Sequence, residues 1–221
     1  MKKIAVMTSG GDCPGMNAAI RSIVRSGIAS NLEVYGIEQG YKGLMEGNIR
    51  LLSSRDVSNT IQRGGTFLRS ARSMTFKTPE GQSQAVDNLE KLGIEGLIVI
   101  GGDGSLTGAK KLYDNFGVKV IGIPGSIDND IYGTSISIGV DTALNTIAHA
   151  IDMINETASS HDRTFIIEVM GRNCGYLALM SAIATGADYL VVGRPISAAP
   201  DPVDAANRIL DEMAAALKAR C

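Results

Sequence analysis

The chain has 221 residues, 44% apolar and 20% charged, a globular balance that excludes disorder as its main state. A net charge of -2, no tryptophan, four phenylalanines and six tyrosines leave neither the basic footprint nor the stacking platform of a nucleic-acid binder. No apolar run reaches about 18 residues, and Met1-Lys2-Lys3-Ile4 enters a strand pattern directly, so neither a membrane span nor a signal peptide is expected. Cys13, Cys174 and Cys221 are odd in number and lack CxxC spacing, which fits reduced thiols in a cytoplasm better than disulfides or a zinc site.

Six short Val- and Ile-rich runs, at residues 4–7, 34–37, 97–100, 118–123, 165–169 and 189–192, are continuously apolar, as strands buried on both faces are. Helical patterns alternate with them at residues 17–30, 84–92, 106–115, 141–157, 176–185 and 203–219. This alternation predicts a doubly wound α/β fold with ligands beyond the carboxyl ends of its strands. Residues 40–55 mix polar and apolar positions without helical period and read as a hairpin or loop. A boundary falls near residue 138, giving a first domain over 1–138 and a second over 139–221. The second has only two strand candidates, a short sheet that must pair with something else, so a homo-oligomer is expected.

Chemistry gathers where strands meet helices. Thr8-Ser9-Gly10-Gly11-Asp12-Cys13-Pro14-Gly15 follows the first strand, and its glycines permit close approach of an anion to the next helix start; a tight turn is the plain alternative. Gly101-Gly102-Asp103-Gly104-Ser105 repeats the arrangement, with backbone amides for phosphates and a carboxylate for Mg²⁺; a mere turn is again the alternative. It is neither a Walker A loop nor a regular GxGxxG, since Gly108 falls one position late. Pro124-Gly125-Ser126-Ile127-Asp128-Asn129-Asp130 offers two carboxylates two apart, either Asx turns or a general base with its orienting partner. His149 and His161 have no paired ligands and read as solvated, and Cys13 reads as packing.

The segments SGGDCPGMNAAIR, RGGTFLRSAR, GGDGS, PGSIDND and EVMGRNCG occur in the order and spacing of bacterial ATP-dependent 6-phosphofructokinases, which the chain resembles over about residues 1–190. The resemblance implies a three-layer, mainly parallel, Rossmann-like α/β fold and phosphorylation of fructose 6-phosphate by Mg-ATP. On it, Gly11, Arg72, Gly102, Asp103, Gly104 and Ser105 hold ATP, and Asp103 also serves Mg²⁺. Gly104 and Gly125 match the ATP-using branch, where pyrophosphate users tend to carry Asp and Lys. Asp128 is the base, with Asp130 and Ser126 beside it; Ser126 replaces the family's usual Thr. Met170, Gly171 and Arg172 touch the sugar phosphate, and Arg163 reaches a neighbouring subunit's phosphate pocket. Arg21, Arg25 and Arg55 match a regulatory nucleotide site.

The family continues well beyond this length. From Gly186 the chain reads Ala187-Asp188-Tyr189-Leu190-Val191-Val192-Gly193-Arg194-Pro195-Ile196, then a linker and a helix, which resembles the last βα unit of orotidine 5′-phosphate decarboxylase. There Gly193 and Arg194 would grip a phosphate; the alternative is a chance strand-turn-helix. No Asp-x-Lys-x-x-Asp cluster occurs, so decarboxylation is not expected. The last helix is capped by Asp201, with Pro202 in its first turn and an apolar face at Val203, Ala206, Leu210, Met213 and Leu217. That face is expected across a sheet in which residues 189–192 lie parallel to 165–169. The expectation is an engineered chimera with an impaired kinase reaction. Its rivals are a short active sugar-phosphate kinase and an inert scaffold with residual anion pockets.

Overall fold

A computed structural model describes residues 1–171, 174–187 and 191–218, with backbone only at residues 194, 195, 212 and 215–218. The chain divides into two compact units, Met1–Gly139 and Val140–Cys221.

The first unit is built on one five-stranded sheet. β1 (Lys3–Ser9) lies at its centre, parallel to β2 (Glu33–Ile37) on one side and to β4 (Gly96–Gly101) on the other. β5 (Val120–Pro124) extends it in parallel beyond β4, and β3 (Ile49–Leu51) closes the opposite edge antiparallel to β2. The helices α1 (Met16–Ala29), α2 (Gly40–Glu46), α3 (Pro79–Lys91) and α4 (Asp103–Phe116) connect these strands. Residues 40–55 are thus a helix and an edge strand rather than a simple hairpin or loop. The local pattern is short and begins at Gln39, a left-handed non-glycine residue, so no cap signal announces the helix.

Two faces of the sheet carry separate cores, and period two along β1 sorts them. Ala5 and Met7 join Ile37, Leu97 and Val99 under Tyr41 and Leu44 of α2, Leu89 of α3 and Leu112 of α4. Ile4 and Val6 join Val34 and Ile100 on the other face, covered by Met16, Ile20 and Val24 of α1 and by Leu52, Val57 and Leu68. Each large side chain so buried contributes about 1.5–3 kcal/mol before entropy is deducted. Thr78 caps α3, accepting from the Gly81 amide at 3.2 Å, with Pro79 in the first turn.

The second unit, among the described residues, is helical. α5 (Val140–Ser160) packs on α6 (Tyr176–Thr185), and α8 (Pro202–Lys218) packs on α6 and on the short α7 (Arg194–Ser197). The strand expected at 165–169 does not form: these residues have no regular structure and Ile166 is 93% exposed. A strand's hydrogen bonds lie between strands, so Val and Ile alone cannot make one without a neighbour. Val191 and Val192 are likewise irregular, while Tyr189 and Leu190 lie outside the described residues. The parallel pairing of these two segments is therefore not observed. In α8 the Asp201 carboxylate does cap the helix, accepting from the Val203 and Asp204 amides at 3.0 Å each. Its covered face agrees with the expected one only in part: Ala206 and Met213 are half-buried as expected, but Val203 is 70% and Leu210 60% exposed, while Ala205 is buried and Ile209 half-buried in their place. Leu217 belongs to the side chains not described.

Candidate active site

Register across the sheet fixes where the three glycine-bearing segments lie. Ser9 pairs with Gly101, and Gly101 with Pro124, so β1, β4 and β5 end in one row. The chain turns one way from β1 to β2 and the other way from β1 to β4, making this carboxyl edge the switch point of the sheet.

Glycine is what lets the first two loops touch. A Cβ on Gly101 would stand 2.4 Å from the Ser9 carbonyl oxygen, and one on Gly10, at φ +88°, would stand 3.2 Å from Ser105 Oγ. Gly11 and Gly104 face open space, where a Cβ would meet nothing within 4 Å. α4 begins at Asp103, and the Ser105 and Leu106 amides close its first turn on the Gly102 carbonyl at 3.0 and 3.1 Å. Asp103 is exposed at that helix start. One carboxylate beside an open, glycine-lined helix start suits a hard cation that takes its other oxygens from phosphates and water.

The third segment is tied to the same row through the Gly125 amide, which donates to the Gly101 carbonyl at 3.0 Å. Ser126 Oγ accepts from the Asp128 amide at 3.2 Å and donates to Asp130 at 3.4 Å, so hydroxyl and both carboxylates share one turn. Asn129, left-handed at φ 52°, clasps the far side with its side chain: Oδ1 accepts from the Ser137 amide at 2.9 Å and Nδ2 donates to the Ser135 carbonyl at 3.1 Å. Burial, and then the charge of Asp130, push the Asp128 carboxyl above its ordinary value of 3.8. A raised carboxylate is a stronger base, the property general-base work needs.

Sequence reasoning missed the residues that hold these loops. Tyr41, stacked on Phe76 at 3.9 Å, donates its buried hydroxyl to the Ser105 carbonyl at 2.6 Å. Gly108, one position late for a regular glycine motif, leaves room for that ring: a Cβ there would stand 2.9 Å from Tyr41 Cζ. Asn17 is buried in α1, donates to the Arg63 carbonyl at 3.1 Å and accepts from the Phe67 amide at 2.9 Å, binding the irregular segment that leads to Arg72. Arg72 itself is exposed. Only long-range pairing reveals such partners; local spacing carries no sign of them. Cys13 is buried, and burial with the Asp12 charge pushes its thiol up to about 11, so it packs as a thiol.

Arg21 lies more than a turn into α1 and donates to the Val57 carbonyl at 2.6 Å, which brings it to the turn that carries Arg55. That turn is braced by Asp56, whose carboxylate accepts from Ser53 and from Arg50 and is held down to about 2. Arg25 and Arg55 are exposed. In the second unit Arg163 is exposed after α5, its amide bonded to the Ala158 carbonyl at 3.0 Å, and Met170 is also exposed. Gly171 is required by its neighbour: a Cβ would stand 2.1 Å from the Cys174 carbonyl oxygen. Arg172 lies outside the described residues, as does the side chain of Arg194; Gly193 accepts from the Ile196 and Ser197 amides at 3.0 Å each. Among the described residues no cluster of three His, Cys, Asp or Glu is placed to hold a metal, and no helix is long and apolar enough to cross a membrane.

An open, mostly parallel sheet with its loops at the switch point defines a doubly wound α/β protein. The family model for phosphofructokinase matches residues 3–209, and the chain belongs to that family. It is 62% identical over 191 residues to the ATP-dependent 6-phosphofructokinase of Macrococcus caseolyticus, covering 86% of this chain and 60% of that one. The ATP-dependent 6-phosphofructokinase of Thermotoga neapolitana is 53% identical over 216 residues, 96% of this chain and 66% of its own. Among solved structures, phosphofructokinase from Saccharomyces cerevisiae superposes with a TM-score of 0.79 at 46% identity, over 86% of this chain and 29% of that one. The chain thus spans about 60% of the length of the first curated relative.

Proposed function

We propose that the chain binds Mg-ATP at the carboxyl edge of β1 and β4 and supplies the donor half of a phosphofructokinase reaction, with slow transfer to fructose 6-phosphate. The common row of Ser9, Gly101 and Pro124 carries this reading, because it brings donor and acceptor chemistry to one edge. Gly11, Gly102, Gly104 and Ser105 cradle the phosphates, Arg72 offsets their charge, and Asp103 holds Mg²⁺. The ion, when bound, neutralises charge on the transferring phosphoryl group. Asp128 takes the proton of the sugar hydroxyl, and Ser126 and Asp130 hold that turn. Met170, Gly171 and Arg172 receive the sugar phosphate, and Arg163 reaches the pocket of a second copy in a homo-oligomer. Arg21, Arg25 and Arg55 form a second nucleotide site. Slow turnover is argued from the acceptor side, where Arg163 and Met170 stand exposed: misplacement of acceptor contacts by about 1 Å costs about 100-fold.

The decarboxylase-like origin of residues 186–219 rests on the run Gly193-Arg194-Pro195-Ile196 with the following Asp201-Pro202-Val203-Asp204-Ala205-Ala206, while the phosphofructokinase match extends to residue 209. Gly193 and Arg194 take no part in the proposed transfer. Calorimetry with Mg-ATP tests the donor site. Saturable binding that loses its metal-dependent part in Asp103→Ala is expected, and no signal at millimolar nucleotide overturns it. In a coupled kinase assay, efficient turnover that vanishes in Asp128→Asn would replace slow transfer with the intact-kinase reading.

A further inference from the structure

Residues 52–74 contain neither helix nor strand, yet Leu52, Val57 and Leu68 within them are buried under the sheet. An irregular segment of this length is uncommon in a compact unit, and its backbone polar groups need partners from outside it. Thr8 is such a partner. It sits in β1 with no exposed surface, where a hydroxyl is costly unless bonded. Its Oγ1 lies 2.8 Å from Thr66 Oγ1 and 3.1 Å from the Arg69 carbonyl oxygen. A carbonyl only accepts, so the single Thr8 proton goes to Arg69 and Thr66 donates to Thr8. The two hydroxyls form a directed chain ending on Arg69, a non-glycine residue held left-handed at φ 60°. On the next residue, Ser70 Oγ donates to the Gly10 carbonyl at 2.5 Å. The strained turn is therefore pinned to β1 on one side and to the glycine loop on the other, with Arg72 two residues further on.

We propose that Thr8 is a positioning residue for the nucleotide site, its hydroxyl fixing the left-handed turn at Arg69 and so presenting Arg72 beside the glycine loop. The inference rests on the Mg-ATP reading above. Thr8→Val keeps the shape of the side chain and removes the bond, whereas Thr8→Ser keeps the bond. In titration calorimetry Thr8→Val weakens Mg-ATP binding about tenfold, and Thr8→Ser binds like the unaltered chain. On an Arg72→Ala background Thr8→Val adds less than about a twofold loss, because the two residues act as one unit. Unchanged affinity in Thr8→Val, or the full loss in both backgrounds, overturns the proposal. Should Thr8→Val fail to fold, Thr66→Val carries the test with about a threefold loss, likewise coupled to Arg72, and an uncoupled loss or none overturns it. If the unaltered chain binds no Mg-ATP, the donor-site reading fails by itself, and amide exchange decides the positioning role. Exchange over residues 69–72 that is faster in Thr8→Val than in Thr8→Ser supports it, and equal rates overturn it.

Discussion

Asp128 shows how a single carboxyl links stability to chemistry. Burial and Asp130 both favour its protonated form, so its folded pKa lies above 3.8. Below 3.8 both folded and unfolded chains hold the proton, and the residue costs nothing. As pH rises through the window between 3.8 and the raised folded value, the unfolded chain releases its proton first, and stability falls. Above that window the cost is complete. Asp128→Asn removes the ionisation, so its melting temperature should match the unaltered chain in acid and exceed it increasingly as pH rises through the window. Parallel melting curves at every pH would refute this assignment. The gain in stability accompanies loss of the base, as expected where a strained site serves function.

At the scale of elements, β5 is the exposed margin of the sheet. Its sequence, Val120-Ile121-Gly122-Ile123-Pro124, is apolar, and Ile121 is 62% exposed. An open apolar edge invites pairing with another chain, and a charge there discourages it. Ile121→Lys should raise the concentration at which the protein stays in solution, with little change in melting temperature. Equal aggregation of the two proteins would show that this edge is not the sticky one. The strands themselves differ in how openly the sequence declares them. β1, β2, β4 and β5 are legible because continuous apolar runs rich in Val and Ile, most of them followed closely by glycine or proline, mark strands covered on both faces. Residues 165–169 carry the same signal but no strand, because the pattern records what a segment prefers and not whether a neighbour is there to pair with it. β3 and α2 failed the other way: three residues at a sheet edge and seven in a helix are too few for a period to emerge. The glycine loops and the Asp128 turn were legible for their short spacing, whereas Tyr41 and Asn17 act across 64 and 46 residues of chain and leave no local mark.

At the scale of the whole molecule, the two units differ in what they bury. Both apolar cores lie within Met1–Gly139, one on each face of the sheet. Among the described residues of Val140–Cys221, the buried apolar side chains are Val140, Ile151, Leu177, Leu179 and Ala205, while Met153, Ile166, Met170 and Val191 stand exposed. Local opening scales inversely with buried apolar contact, so the second unit should open first. Limited proteolysis is therefore expected to cut within residues 140–218 early and to leave a resistant fragment close to residues 1–139. Gly11, Arg72 and the loop from Gly102 to Ser105 all lie in that fragment, as do Thr8, Asn17 and Tyr41, which hold them. The fragment should therefore bind Mg-ATP with the dissociation constant of the whole chain, while losing any turnover that depends on Arg163 or Met170. Early cleavage inside residues 4–124, or a resistant fragment without nucleotide affinity, would show that the donor site depends on the second unit.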